Sequence, residues 1–87
     1  MAQESPLEFP CTFPIKAMGP ATGEFEALVL GIVRRHVPDL GEGAVHSRTS
    51  SRGKYLSITV DIRATSRDQL DRLYADLNAQ DQVLMTL

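Results

Sequence analysis

Tyr55-Leu56-Ser57-Ile58-Thr59-Val60-Asp61-Ile62-Arg63-Ala64 decides the fold of this 87-residue chain. Leu56, Ile58, Val60, Ile62 and Ala64 recur at every second position, with Tyr55, Ser57, Thr59, Asp61 and Arg63 between them. Successive side chains of a strand point to opposite faces, so this pattern predicts a strand with one face on a core and the other toward water or a partner. Upstream, Ser50-Ser51-Arg52-Gly53 reads as a hairpin turn leading back to a weaker strand, Ala44 to Thr49, rich in Ser, Thr and Arg and suited to a sheet edge. Downstream, Thr65-Ser66 opens a helix with Ser66 and Gln69 at capping-box spacing. Leu70, Leu73, Tyr74 and Leu77 give it one apolar stripe and Asn78 closes it; Val83, Met85 and Leu87 then alternate in a short last strand.

The N-terminal half repeats the plan. Phe13, Ile15 and Ala17 alternate with Thr12, Pro14, Lys16 and Met18, which predicts a strand broken by Gly19-Pro20. Pro10 and Pro14 cannot donate ladder hydrogen bonds, so complete pairing is expected only beyond Pro14. Thr22 is an N-cap for a helix to Val37, with Glu24 and Glu26 near its start, Arg34, Arg35 and His36 in its last turn, and Pro38 beyond it. Phe25, Leu28, Val29, Ile32 and Val33 share its apolar stripe. The order β-α-β-β-α-β predicts an α+β ferredoxin-like sandwich: a four-stranded antiparallel sheet, spatial order 4-1-3-2, with two helices on one face. Residues 1–8 read as a flexible tail and 9–87 as a single ferredoxin-like, ACT-like domain.

Composition narrows the functions. Nine basic and eleven acidic side chains leave a net charge of −2, the opposite of a dedicated duplex-binding domain. No apolar run approaches the roughly 20 residues of a membrane span, and Met1 to Pro6 has neither the basic start nor the apolar stretch of a signal peptide. The single cysteine, Cys11, forms no internal disulfide and reads as packing. These features together predict a cytoplasmic protein.

The collinear set Leu7-Glu8-Phe9-Pro10, Phe13, Lys16, Met18-Gly19, Arg35-His36, Pro38, Ser50 to Ser57, Ala64-Thr65, Leu73-Tyr74, Val83, Met85 and Leu87 resembles the YbeD family of small uncharacterised bacterial proteins. That resemblance implies a ferredoxin-like fold related to ACT-type regulatory domains, which bind small molecules such as amino acids, often across a dimer. It also implies a link to lipoate metabolism, and it brings no catalytic residue.

Two regions are candidate contact sites. Met18-Gly19-Pro20-Ala21-Thr22-Gly23 joins a strand to a helix N-terminus, where backbone N–H groups can hold an anion, and Gly19 and Thr22 are its candidate residues. A connection shaped only by Gly and Pro is the plainer alternative. From Gly43 to Val60 the chain carries Arg48, Arg52, Lys54 and His46 and no acid. A solvated hairpin, a site for an anionic ligand or protein, and an RNA contact through Arg48, Arg52, Lys54 and Tyr55 all fit that charge. For RNA, the later aromatic positions of a stacking signature are Ser57 and Thr59. His36 and His46 lack partners at metal-ligand spacing, so no metal or cofactor is expected. No Cys-x-x-Cys supports a copper chaperone, no arginine in the first loop supports acylphosphatase chemistry, and no nucleophile–base pair can be assembled. Asp61 and Arg63 read as a surface pair. The expectation is a non-enzymatic regulatory or adaptor domain for a small metabolite or protein partner, possible as a homodimer; a weak RNA-contacting module is the alternative.

Overall fold

The computed structural model describes residues 8–87, the Glu42 side chain excepted. Residues 1–7, most of the expected tail, lie outside the described residues. Strand β1 (Cys11–Pro20) is followed by helix α1 (Gly23–His36), a 3-10 turn (Glu42–Ala44), strands β2 (Val45–Thr49) and β3 (Tyr55–Ala64), helix α2 (Arg67–Asn78) and strand β4 (Met85–Thr86). The sheet is antiparallel in the order β2-β3-β1-β4, as the strand connectivity predicts.

The core lies between the sheet and the two helices. Ile15 and Ala17 of β1 and the five even-numbered residues of β3 from Leu56 to Ala64 are buried beneath Phe25, Val29, Ile32 and Val33 of α1 and Leu70, Leu73 and Leu77 of α2. Both apolar stripes therefore face one side of the sheet. Burial of this kind makes truncating one of these leucines or isoleucines to alanine cost about 2–5 kcal/mol.

The helix ends are closed by side chains. Thr22 Oγ1 accepts from the Phe25 N–H at 3.0 Å, and Ser66 Oγ from the Gln69 N–H at 3.1 Å. Gln69 does not return to the N–H of Ser66, as a strict capping box would. Its Oε1 accepts from the Thr65 N–H at 2.7 Å, and its Nε2 donates to the His36 carbonyl at 3.1 Å, tying the end of α1 to the start of α2. His36 Nε2 and Asp76 Oδ2, 2.6 Å apart, make a second tie between the helices.

Two expectations about β1 need correction. Pairing with β3 is not confined to residues beyond Pro14 and does not stop before Gly19; it runs the full length, from Cys11 opposite Ala64 to Pro20 opposite Tyr55. The reason is parity. The carbonyls of Lys16 and Met18 accept from the β4 side, from the N–H groups of Leu87 and Leu84. Even-numbered residues of β1 thus turn their backbone polar groups away from β3. Pro14 and Pro20 are even-numbered, so their missing N–H groups fall on the outer edge and the β1–β3 ladder loses nothing. Because β4 pairs only with Ala17 and Met18, Pro14 also blunts the stretch of edge left open.

Candidate functional site

The helices cover one face of the sheet and leave the other open. Strand alternation places Lys16 and Met18 of β1, Tyr55, Ser57, Thr59, Asp61 and Arg63 of β3, and His46 and Arg48 of β2 on that open face. The register then lines them up in rows. Arg48 stands opposite Ser57, Ser57 opposite Met18, and Met18 opposite Met85, so one row crosses all four strands. The next row runs His46, Thr59, Lys16, with Leu87 bonded to the Lys16 carbonyl. Small side chains at 57 and 59 leave a trough between the longer ones on either side.

Two shallow depressions adjoin in this trough. The larger, about 250 Å³, is lined by Met18, Arg48, Thr49, Ser50, Tyr55 and Ser57. The smaller, about 20 Å³, lies among Lys16, Ala17, Met18, Ser57, Met85 and Leu87, with room for little more than a water. Apolar side chains stay exposed around them: Tyr55 is 46% exposed, Met85 51% and Leu87 73%. Of the four large apolar side chains exposed among the described residues, three belong to this cluster and the fourth is Leu84, so the cluster is a feature of the face.

Charge is divided along the same surface. Lys16, Arg48 and Arg63 form no ion pair among the described residues. Asp61, the one carboxylate on the face among the described residues, lies toward its other end and contacts His46 across the strands at 3.5 Å, in place of the expected Arg63. The end around Met18 and Tyr55 is therefore apolar and positively charged, on a chain whose total is −2.

The residues singled out from the sequence separate into three places. Arg48 and Tyr55 meet in the larger depression. Arg52 and Lys54 are exposed at the neighbouring hairpin tip, where Gly53 takes a φ of 72° and its N–H reaches the Ser50 carbonyl at 2.9 Å. Gly19 faces the helices: a Cβ there would stand 2.5 Å from the Gln82 carbonyl oxygen and 2.6 Å from Cζ of Phe25. Thr22 spends its hydroxyl on the helix cap. The structure thus brings Arg48 and Tyr55 together and leaves Gly19 and Thr22 on the helix side. Met18 and Ser57 were not singled out, though alternation alone puts both on the open face. Met85 joins them only through a long-range register that the local sequence does not carry.

Among the described residues no group of three or more His, Cys, Asp or Glu side chains could hold a metal, and no helix is long and apolar enough to cross a membrane. Tyr74 is half-buried, and burial holds its phenol above the ordinary tyrosine value of 10.0. Its hydroxyl donates to the backbone oxygen of Leu87 at 2.5 Å, fastening the last residue beside the open face.

The matching family model, described as "Protein of unknown function (DUF493)", covers residues 4–87. The chain belongs to the DUF493 family. Within it, the chain is similar to a UPF0250 protein of Nitrosomonas europaea, 46% identical over 87 residues and the whole of both chains. A UPF0250 protein of Janthinobacterium sp. (strain Marseille) is 46% identical over 84 residues, 97% of this chain and 92% of the relative. One from Neisseria meningitidis serogroup A is 42% identical over 81 residues, 93% and 89% of the two. The resemblance to the YbeD proteins is thereby shown, since UPF0250 is that family. DUF493 membership settles kinship across nearly the whole length and brings no reaction or ligand with it.

Proposed function

We propose that this chain is a non-enzymatic adaptor or regulatory domain that binds a protein partner on its open sheet face. One observation carries the reading: the helices bury the central strands on one face, while the opposite face keeps Met18, Tyr55, Met85 and Leu87 beside two adjoining depressions. Small-molecule sites usually enclose about 300–1,000 Å³ and most of the ligand's surface. The larger depression holds about 250 Å³ and is open to solvent, which favours a partner that lies across the face over a metabolite swallowed by it. The first loop, the alternative place for an effector, has Gly19 packed against Phe25 and the Thr22 hydroxyl already bonded. Links to lipoate metabolism and to homodimers enter only through the family resemblance.

A photoreactive phenylalanine analogue tests this in a bacterial host. Placed at Tyr55 or Met85 it should give discrete crosslinked products on irradiation, and placed at Ala27 or Arg72, exposed on the helices, it should not. The same products from both sides of the molecule, or none from the open face, would refute the reading.

A further inference from the structure

Resting on the open face as the binding face, we infer that its occupant is an acidic peptide segment carrying a few apolar anchors. The apolar component is the cluster of Met18, Met85, Leu87 and Tyr55. Methionine is flexible and polarizable, and surfaces built from it re-pack around apolar side chains of varied shape. The small side chains of Ser57 and Thr59 leave room beside it for one or two such anchors.

The acidic component follows from charge. Lys16 and Arg48 flank Ser57 and Met18 from opposite sides, both exposed, and neither meets a carboxylate among the described residues. Arg52 and Lys54 extend the same sign along the hairpin, and no acid occurs from Gly43 to Val60. Asp61 is held by His46 toward the far end. A segment with carboxylates beside its anchors meets complementary potential here, whereas a basic one meets like charge. RNA would use the cations equally well, but the face offers Tyr55 alone as an aromatic at this end, with Met18, Ser57 and Met85 in the neighbouring row that bases would cover. Face-to-face pairing of two copies would offer each basic end only the other copy's Asp61, which His46 already contacts.

Selection of a random short-peptide display library against the full chain tests the inference. The peptides that enrich should combine Asp or Glu with Leu, Ile, Phe or Met. A synthesised winner should shift the NMR methyl signals of Met18 and Met85 and lose affinity about tenfold or more, roughly 1.4 kcal/mol, against Lys16→Glu/Arg48→Glu. The milder Lys16→Gln/Arg48→Gln should fall between, and circular dichroism confirms that both variants fold. Neutral or basic winners on the open face, or acidic winners indifferent to both double variants, overturn the inference and leave the open face as a docking surface. Winners that shift only helix residues overturn both. Tighter binding of oligouridylate or anionic vesicles than of any peptide assigns the face to RNA or lipid, and a concentration-dependent dimer lost in Met85→Glu assigns it to a second copy; each overturns the peptide.

Discussion

Replacing Gly19 with alanine adds one methyl group where β1 passes against the Phe25 ring. The new carbon would stand 2.5 Å from the Gln82 carbonyl oxygen and 2.6 Å from Cζ of Phe25, far inside ordinary contact distance. Neither neighbour yields readily. Phe25 is fully buried, and Gln82 lies two residues before Leu84, whose N–H is bonded to the Met18 carbonyl at 2.8 Å. Gly19 has no positive φ, so the penalty is one of packing and owes nothing to backbone strain. Overpacking a closed core costs about 1–3 kcal/mol, and two fixed neighbours put this site at the upper end. Against a total stability of about 4–13 kcal/mol for a chain of this length, melting should fall by roughly 10–20 °C. Gly31→Ala is the control: it lies in α1, exposed, with nothing within 4 Å of the added carbon, and should stabilise by about 0.5–1 kcal/mol. Urea unfolding followed by circular dichroism reads both. A Gly19→Ala midpoint within about 0.5 kcal/mol of the parent, or shifts of the same sign for both variants, would refute the packing assigned to this glycine.

Gln69→Ala should cost about 1–2 kcal/mol in urea unfolding, because it leaves the Thr65 N–H and the His36 carbonyl without their partner, and Ser66→Ala about 1 kcal/mol for the cap. Tyr74 makes stability depend on alkali. Its folded phenol holds the proton above the ordinary value of 10.0, so its contribution is intact at neutral pH and is lost as pH rises from about 10 through the folded value. Urea midpoints across that range should fall for the parent and flatten for Tyr74→Phe. Pro14→Thr restores an N–H on the outer edge of β1 beyond the reach of β4; the monomer should keep its circular dichroism while light scattering at rising concentration reports new edge-to-edge association.

What could be read from the sequence was whatever depends on local period. Strand β3 carries five apolar residues at spacing two and emerged with the bounds expected of it, and Thr22 and Ser66 marked both helix starts. The strand order followed from connectivity, once each helix had to return the chain to the same sheet. Properties that depend on the other side of a pair were hidden. Whether Pro14 harms a ladder depends on which neighbour its nitrogen faces, and that parity is set by β4, a strand of only two residues. Val83, Met85 and Leu87 alternate as if on one face, yet Val83 packs on the core before the strand begins, while Met85 and Leu87 are exposed. Gly19 looked like part of a ligand loop because Gly-Pro sequences make loops; its packing against Phe25 spans a loop and a helical turn and leaves no local trace. In the site, Arg48 and Tyr55 stood out by charge and aromaticity. Met18 and Ser57 are ordinary residues whose significance is their shared row.

That row ties the proposed docking surface to the core through one strand. On β1, Ile15, Ala17 and Gly19 face the helices, and Lys16 and Met18 face outward. A slip of one residue would drive Lys16 into the core and expose Ile15, so the register that protects the core also fixes the spacing of Lys16 and Met18 against Arg48 and Ser57. Gly19 reinforces the lock, since no other residue of β1 could pass the Phe25 ring at that point. Affinity and stability should therefore separate by parity along β1. Met18→Ala removes an apolar anchor from the open face and leaves every core contact in place. Ile15→Ala does the reverse, opening a cavity beneath the helices while the outward row keeps its chemistry. A surface that can change its partner without disturbing the fold needs this arrangement, and a period of two supplies it.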